Sequence, residues 1–427
     1  MTPSAIHVRN YRSFPERQAL ELRPLTLLYG ENSAGKSALV RVLPLLSDSI
    51  GTEEGGPLNL ASPAARGSTY EGLRWSGPVE GDASPEMVFT FEWNTGPRDT
   101  RFEVALDWER TWKRLIVTRF KLFTGGQLLL AGEWFFRSEE QSAAALTYTI
   151  EHRVAAASVR TEAPVTFKGL IPYSKAIPAG AAQLLEEHLL GLRRSVQWLS
   201  SRQLSAARSA PRPTAPAWAM RPDGSDVGAV LASHSEVLRE VSAWCEQHLR
   251  RTVEISDIPE LGHFRVTLQH TEKAALDINL IDSGEGVLNV MPVLAALALS
   301  RRSEPTAPRI LAIEEPESHL HPKLQRALAA HVASTVSGPE DPPRIILETH
   351  SQHILLGVQI QVARGLLKPE QVQVYWVHQD PSGRSRAEPV RLTEEGRLDG
   401  NWPPDVYTEI NDMAGELIRA RQERQRK

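Results

Sequence analysis

The chain has 427 residues, 41% hydrophobic and 23% charged. It is too long for one core to grow unbroken and too apolar for a disordered polymer, so two or three lobes are expected. A formal net charge of −4 excludes a global positive field that would draw the protein onto nucleic acid, leaving local basic clusters for any such contact. The one cysteine, Cys245, excludes an intramolecular disulfide framework and suits a reducing compartment, where it reads as a small buried hydrophobe. The N-terminus lacks a signal peptide's apolar core, and no stretch reaches the roughly eighteen apolar residues of a bilayer span, so a cytoplasmic location without membrane contact is expected.

Residues 5–8 and 20–22 read as short strands around a polar turn, and 25–29 as a buried strand. From 86 to 154 apolar and polar residues alternate with period two, which predicts an antiparallel β region. Helical spacing at 181–198 and 235–250 brackets an irregular connection at 205–223, rich in Pro, Ala, Ser and Arg. Strands at 252–255, 264–268 and 276–281 lead into an apolar helix at 287–299. Strands at 309–313, 344–347 and 373–377 then alternate with helices at 321–336 and 352–367, the pattern of a parallel α/β sheet.

The octapeptide Gly30-Glu31-Asn32-Ser33-Ala34-Gly35-Lys36-Ser37 lies between the buried strand and a helix, which is the context a Walker A phosphate loop requires. There the backbone N–H groups and the helix N-terminus meet phosphate oxygens, Lys36 reaches the β/γ oxygens of ATP, and Ser37 can hold Mg²⁺. Downstream, the strand 309–313 ends in Glu314-Glu315. This suits a Walker B pair in which Glu314 holds Mg²⁺ through water and Glu315 polarises the attacking water.

Between these motifs, Asp282-Ser283-Gly284-Glu285-Gly286 precedes a helix and offers a second set of phosphate-facing N–H groups from Ser283, Gly284 and Gly286. One triphosphate rarely needs two such loops, so the economical reading is a cap on ATP bound to a second protomer, against a plain helix N-cap in a tight turn. The strand 344–347 leads into Glu348-Thr349-His350-Ser351, where His350 can sense the γ-phosphate by hydrogen bonding. A metal site built from His319, His321, His350 and His353 is the competing reading.

Asn10-Tyr11-Arg12-Ser13-Phe14, the GENSAGKS loop, DSGEGV, AIEEPESHLHP and LETHS, in that order, resemble the ABC-type ATPase heads of the RecF, SMC and OLD families, and the OLD-like ATPases most. The resemblance implies an α/β ABC-type head: a P-loop parallel sheet core, an antiparallel β subdomain and a short helical insertion. It places lobe I with Walker A at 1–80, its antiparallel region at 81–170, the insertion at 171–250, lobe II at 251–390 and a C-terminal segment with a basic tail at 391–427. It also implies Ser283 to Gly286 as signature, His319 to Pro322 as D-loop, His350 as switch histidine, and Trp402-Pro403 as a terminal motif.

Departures from the pattern are equally legible. No glutamine occurs between Val40 and Gly126, so the Q-loop residue is missing or replaced within residues 68–75. The signature reads SGEG, and Glu314 stands where many relatives carry Asp. Long coiled-coil arms are absent from the sequence, and the 77 residues after His350 hold no DxD pair of the Toprim kind. The resemblance therefore implies an ATPase switch that dimerises around ATP and Mg²⁺ and acts through a separate effector, such as a Toprim nuclease or a toxin, in bacterial antiphage defence. A RecF-like DNA repair ATPase and an ATP-bound scaffold with little turnover are the rival readings. For DNA or partner contact the sequence offers Arg193, Arg194, Arg202, Arg208 and Arg212, with Trp198 and Trp218 nearby and no acid between Glu187 and Asp223.

Overall fold

The computed structural model describes residues 2–52, 56–77, 86–94, 99–135, 146–154, 157–201, 207–400, 402–403 and 416. Strands β1 (Ala5–Arg9) and β2 (Gln18–Glu21) pair around the polar turn, and β3 (Leu25–Gly30) runs into α1 (Lys36–Ser49), followed by the single turn α2 (Tyr70–Leu73). A meander follows: β4 (Met87–Trp93), β5 (Thr100–Glu109), β6 (Arg114–Thr124), β7 (Gln127–Trp134), β8 (Leu146–Val154), β9 (Ala157–Lys168) and β10 (Ile171–Tyr173). Next come α3 (Ala179–Ser195), β11 (Val196–Leu199), β12 (Ala210–Pro211), α4 (Val227–Ser233), α5 (Ser235–Leu249), β13 (Arg251–Ile258), β14 (His263–His270) and β15 (Lys273–Asn279). The chain closes with α6 (Glu285–Ser300), β16 (Ile310–Glu314), α7 (Pro322–Ser337), β17 (Arg344–Glu348), α8 (Gln352–Ala363), β18 (Val372–Gln379), β19 (Ser385–Leu392) and β20 (Leu398–Asp399).

Nine strands form one antiparallel sheet in the order β10-β9-β8-β7-β6-β5-β4-β1-β2. Its period-two alternation buries Phe102, Val104 and Leu106 of β5 together with Phe89, Phe91 and Trp93 of β4, where Phe91 stacks on both Trp93 and Phe102. A second sheet runs β11-β16-β17-β3-β18-β19-β20, parallel from β11 to β18 with β19 and β20 added antiparallel at its edge. Its central strands are near-continuous apolar runs because both faces are covered. A smaller sheet joins β12, β14 and β13, with β15 on β14.

Alternate residues of the parallel strands belong to two separate cores. Leu28, Ile310, Ala312 and Ile346 pack with α1 and the antiparallel sheet, whereas Leu27, Leu311, Ile313, Ile345 and Leu347 pack with α6, α7 and α8. Helix α1, after GENSAGKS, and helix α6, after DSGEG, therefore cover opposite faces of one sheet.

The helix expected to reach residue 198 ends at Ser195. Residues 196–199 become edge strand β11, in register with β16 from Val196 opposite Ile310 to Leu199 opposite Ile313. A short β-branched and aromatic run reads either way by periodicity, and the open sheet edge decides it. Cys245 is fully buried on α5, and burial pushes its thiol up to about 12, as expected of a packing residue. The basic tail lies almost wholly outside the described residues, and among these no helix is long and apolar enough to cross a membrane.

Candidate nucleotide site

The loop after β3 is shaped by its neighbours. A Cβ on Gly30 would lie 2.0 Å from the Val377 carbonyl oxygen of β18, so only glycine fits where the loop leaves the sheet. Gly35 is the N-cap of α1 and sits against Ser13 and the Phe14 ring. That gives the Asn10–Phe14 turn a physical role, because Tyr11 and Phe14, each 1% exposed, form the wall behind the loop. Arg12 ties the same turn to residues 68–75 by donating to the Gly72 carbonyl (3.0 Å) and Ser68 Oγ (2.9 Å). Lys36 is buried, and its Nζ donates to the carbonyls of Gly30 (3.0 Å) and Glu31 (2.6 Å). Burial lowers its pKa, opposed by Glu348 and Glu315.

Two carboxylates face α1 from adjacent strands. Glu314 at the end of β16 lies in register with Glu348 at the end of β17, the strand next to β3. Parallel strands lie about 4.8 Å apart, and four residues of helix rise about 6 Å. Positions i and i+4 of α1 thus meet successive strands. Ser37 Oγ donates to Glu348 Oε1 at 2.6 Å. One turn on, Arg41 Nε and Nη2 donate to the two oxygens of Glu314 at 2.7 and 2.5 Å. Glu314, 1% exposed, also accepts from Trp198 Nε1 at 3.0 Å.

This arrangement departs from the expectation for Glu314, since the carboxylate brought to Ser37 is that of Glu348. Burial pushes the Glu348 carboxyl up to about 7; nearby Glu314 adds to the rise, while Ser37, Lys36 and Arg41 oppose it. Sequence reasoning passed over Glu348, although its position just before Thr349-His350 at a strand end was the available signal.

Glu315, Glu348 and His350 each bring a ligand atom within 4.8 Å of the others. Glu315 sits at φ 44°, and its N–H donates to the Glu348 carbonyl at 2.8 Å. The buried Glu317 was also missed. Its carboxylate accepts from Thr349 Oγ1 (2.7 Å) and from the His350 N–H (2.9 Å), fixing the backbone that carries the His350 ring. Partial burial and the charge of Lys36 hold His350 below its ordinary pKa. The four-histidine alternative is not assembled: His319 Nδ1 lies 3.2 Å from Glu285, and His321 caps α7 by accepting from the Lys323 N–H.

The DSGEG segment leads into α6 with Gly284 as N-cap. Ser283 Oγ donates to the Leu280 carbonyl (2.7 Å), and a Cβ on Gly286 would lie 2.5 Å from the His319 carbonyl, so this segment abuts the SHLHP turn of its own chain. Of the arginine segment, Arg202 lies outside the described residues. Arg208 makes a bidentate pair with Asp282 (2.8 and 2.7 Å), and Arg212 pairs with Asp257 at 2.7 Å. Arg193 donates to the Gly51 carbonyl, and Arg194 is exposed at the end of α3. Trp198 is buried and so is not presented for base stacking, and the half-buried Trp218 packs on His234. Trp402 packs on Tyr29, the residue before Gly30, and on Trp376.

A parallel sheet with the Gly30–Ser37 loop at one end, joined to a large antiparallel sheet, has the fold of the ABC-type ATPase heads. Residues 233–355 match the family model described as the AAA ATPase domain. Among solved structures the chain is similar to an SMC head bound to the C-winged helix domain of ScpA, with 10% identity over 92% of this chain and 99% of that one, at a TM-score of 0.54. It is also similar to an SMC head domain with an extended coiled coil from Pyrococcus furiosus, bound to the C-terminal domain of ScpA, with 8% identity over 91% and 96% of the two chains, at a TM-score of 0.50. At these identities the likeness is one of fold. No curated protein matches the chain. The domain match and the shared fold together support an ATP hydrolase.

Proposed function

We propose that the protein is an ATP-driven switch of the OLD-like or RecF-like kind, in which two copies close around ATP and Mg²⁺ and hydrolysis reopens them. The observation that carries this reading is the convergence of the Gly30–Ser37 loop with Glu315, Glu348 and His350 at one end of the parallel sheet. Loop amides and Lys36 bind the phosphates. Glu315 takes a proton from the water that attacks the γ-phosphorus as its bond to the β–γ bridging oxygen breaks and ADP leaves, and His350 hydrogen-bonds a γ-phosphate oxygen. A divalent cation fits here, because Glu348 Oε2 is buried and accepts no hydrogen bond among the described residues; when bound, it neutralises developing phosphate charge.

The packing of α1 and α6 on opposite faces of the sheet, with Gly284 exposed at the start of α6, supports dimerisation in which the turn Ser283–Gly286 meets the nucleotide of a second copy. The solved relatives' ScpA complexes make a separate protein partner a natural output, here an effector such as a Toprim nuclease or a toxin acting in antiphage defence. Internal pairing of Arg208 and Arg212 weighs against DNA as that partner.

The test is Glu315→Gln. Loss of a positioned base costs about 10²- to 10⁴-fold in turnover, so this variant should bind ATP, hydrolyse it at most at 1% of the parental rate by that estimate, and run as a dimer in light scattering with ATP. Lys36→Ala should remain a monomer. Unchanged turnover refutes the catalytic role, and a lone subunit in every nucleotide state refutes the sandwich.

A further inference from the structure

Two acids compete for the cation that accompanies the nucleotide, and the structure separates them. Glu314 has its charge matched: both oxygens accept from Arg41, Trp198 adds a third donor, and the side chain is 1% exposed. Drawing it toward a cation would break a buried bidentate pair and leave a guanidinium beside a divalent charge, a repulsive arrangement in a low dielectric. Glu348 is the opposite case. It is 3% exposed, Oε1 accepts from Ser37, and Oε2 accepts no hydrogen bond among the described residues. A buried carboxylate oxygen without a partner is costly, and native structures satisfy such atoms with a donor or an ion. Glu315 and His350 bring atoms within 4.8 Å of it and of one another, so a cation held by the oxygens of Glu348 and Ser37, a donor type suited to Mg²⁺ or Mn²⁺, would lie beside the proposed base and γ-phosphate contact.

We propose that Glu348, together with Ser37, receives the divalent cation, and that Glu314 serves instead to clamp α1 to β16 through Arg41. The proposal rests on the reading of Gly30–Ser37 as a nucleotide loop.

The test measures binding of a fluorescent ATP analogue to the full-length protein, with Mg²⁺ and with EDTA. The parent should bind more tightly with Mg²⁺ by roughly 10- to 100-fold, the range by which metal-site substitutions act. Glu348→Gln should bring the ratio near one while leaving EDTA affinity within about twofold, and Glu348→Asp should restore part of it. Glu314→Gln should keep the ratio even where its thermal midpoint falls. The manganese resonance of the Mn²⁺-loaded complex gives a second readout, changed by Glu348→Gln and preserved in Glu314→Gln. A full Mg²⁺ ratio in Glu348→Gln, or its loss in Glu314→Gln alone, overturns the assignment while the nucleotide reading stands. A parent that binds no analogue in either buffer overturns both.

Discussion

Replacing Arg41 by methionine keeps most of the side-chain volume and removes the charge, leaving the Glu314 side chain, 1% exposed, without its bidentate partner. Breaking a buried pair from one side costs about 3–5 kcal/mol, because the remaining charge is uncompensated. Arg66 does not substitute: its guanidinium stands 3.9 Å from Glu314, and its side chain is 42% exposed. With an unfolding entropy of about 2.1 cal/mol/K per residue, a cooperative unit of this size shifts by roughly 3–6 °C. A thermal scan of nucleotide-free protein should show that drop for Arg41→Met. The double variant Arg41→Met/Glu314→Leu should recover most of it, since replacing both partners by apolar groups removes the stranded charge. If Arg41→Met melts within about 1 °C of the parent, or the double variant is as unstable as the single one, the pair is not the clamp described.

His331 on α7 is pushed down to about 4 from 6.5 by burial, with Arg301 and His248 adding to it. Its unfolded form takes a proton below about pH 6.5 and the native form does not, so its contribution to stability is present above that pH and lost as the pH falls toward 4. Thermal midpoints across this window should slope less in His331→Gln than in the parent. Because Arg208 and Arg212 are paired to Asp282 and Asp257, Arg208→Ala/Arg212→Ala should leave duplex DNA retention in a filter assay unchanged across salt. A salt slope shallower by about two would return the segment to DNA.

The elements that carry local signals were legible. GENSAGKS between an apolar strand and a helix, and AIEEPE and LETHS at strand ends, forecast the parallel core because a buried strand and a phosphate loop are both specified within about ten residues. The antiparallel region was legible from period-two alternation, although β9 escaped because its face is largely exposed and polar. Legibility ended where function depends on which strand lies beside which. Nothing in the order of residues says that β17 separates β16 from β3, and that adjacency gives Ser37 to Glu348 and Arg41 to Glu314. The arginine run looked like a basic patch for the same reason, since Asp282 and Asp257 lie 74 and 45 positions away in sequence from the arginines they neutralise. Glu317 carries no local signal, because the groups that bond its carboxylate, Thr349 and His350, lie 32 and 33 positions on.

The turn between β16 and α7 explains how such distant motifs are held to one another. Glu315 and His319, neither of them glycine, sit at φ 44° and 62°, conformations that cost on the order of 1–3 kcal/mol each and persist only where the surroundings over-determine them. Here the surroundings do so from both sides. Toward the Gly30–Ser37 loop, the Glu315 N–H is held by the Glu348 carbonyl and the Glu317 carboxylate by Thr349 and His350. Toward α6, the His319 carbonyl lies so close to Gly286 that a methyl group would not fit between them, and the His319 ring meets Glu285. A displacement of the α6 N-terminus therefore bears directly on a strained turn whose other end fixes Glu315 and His350. If a second copy contacts DSGEG as proposed above, the five residues from Glu315 to His319 carry that contact to the carboxylates beside the Gly30–Ser37 loop.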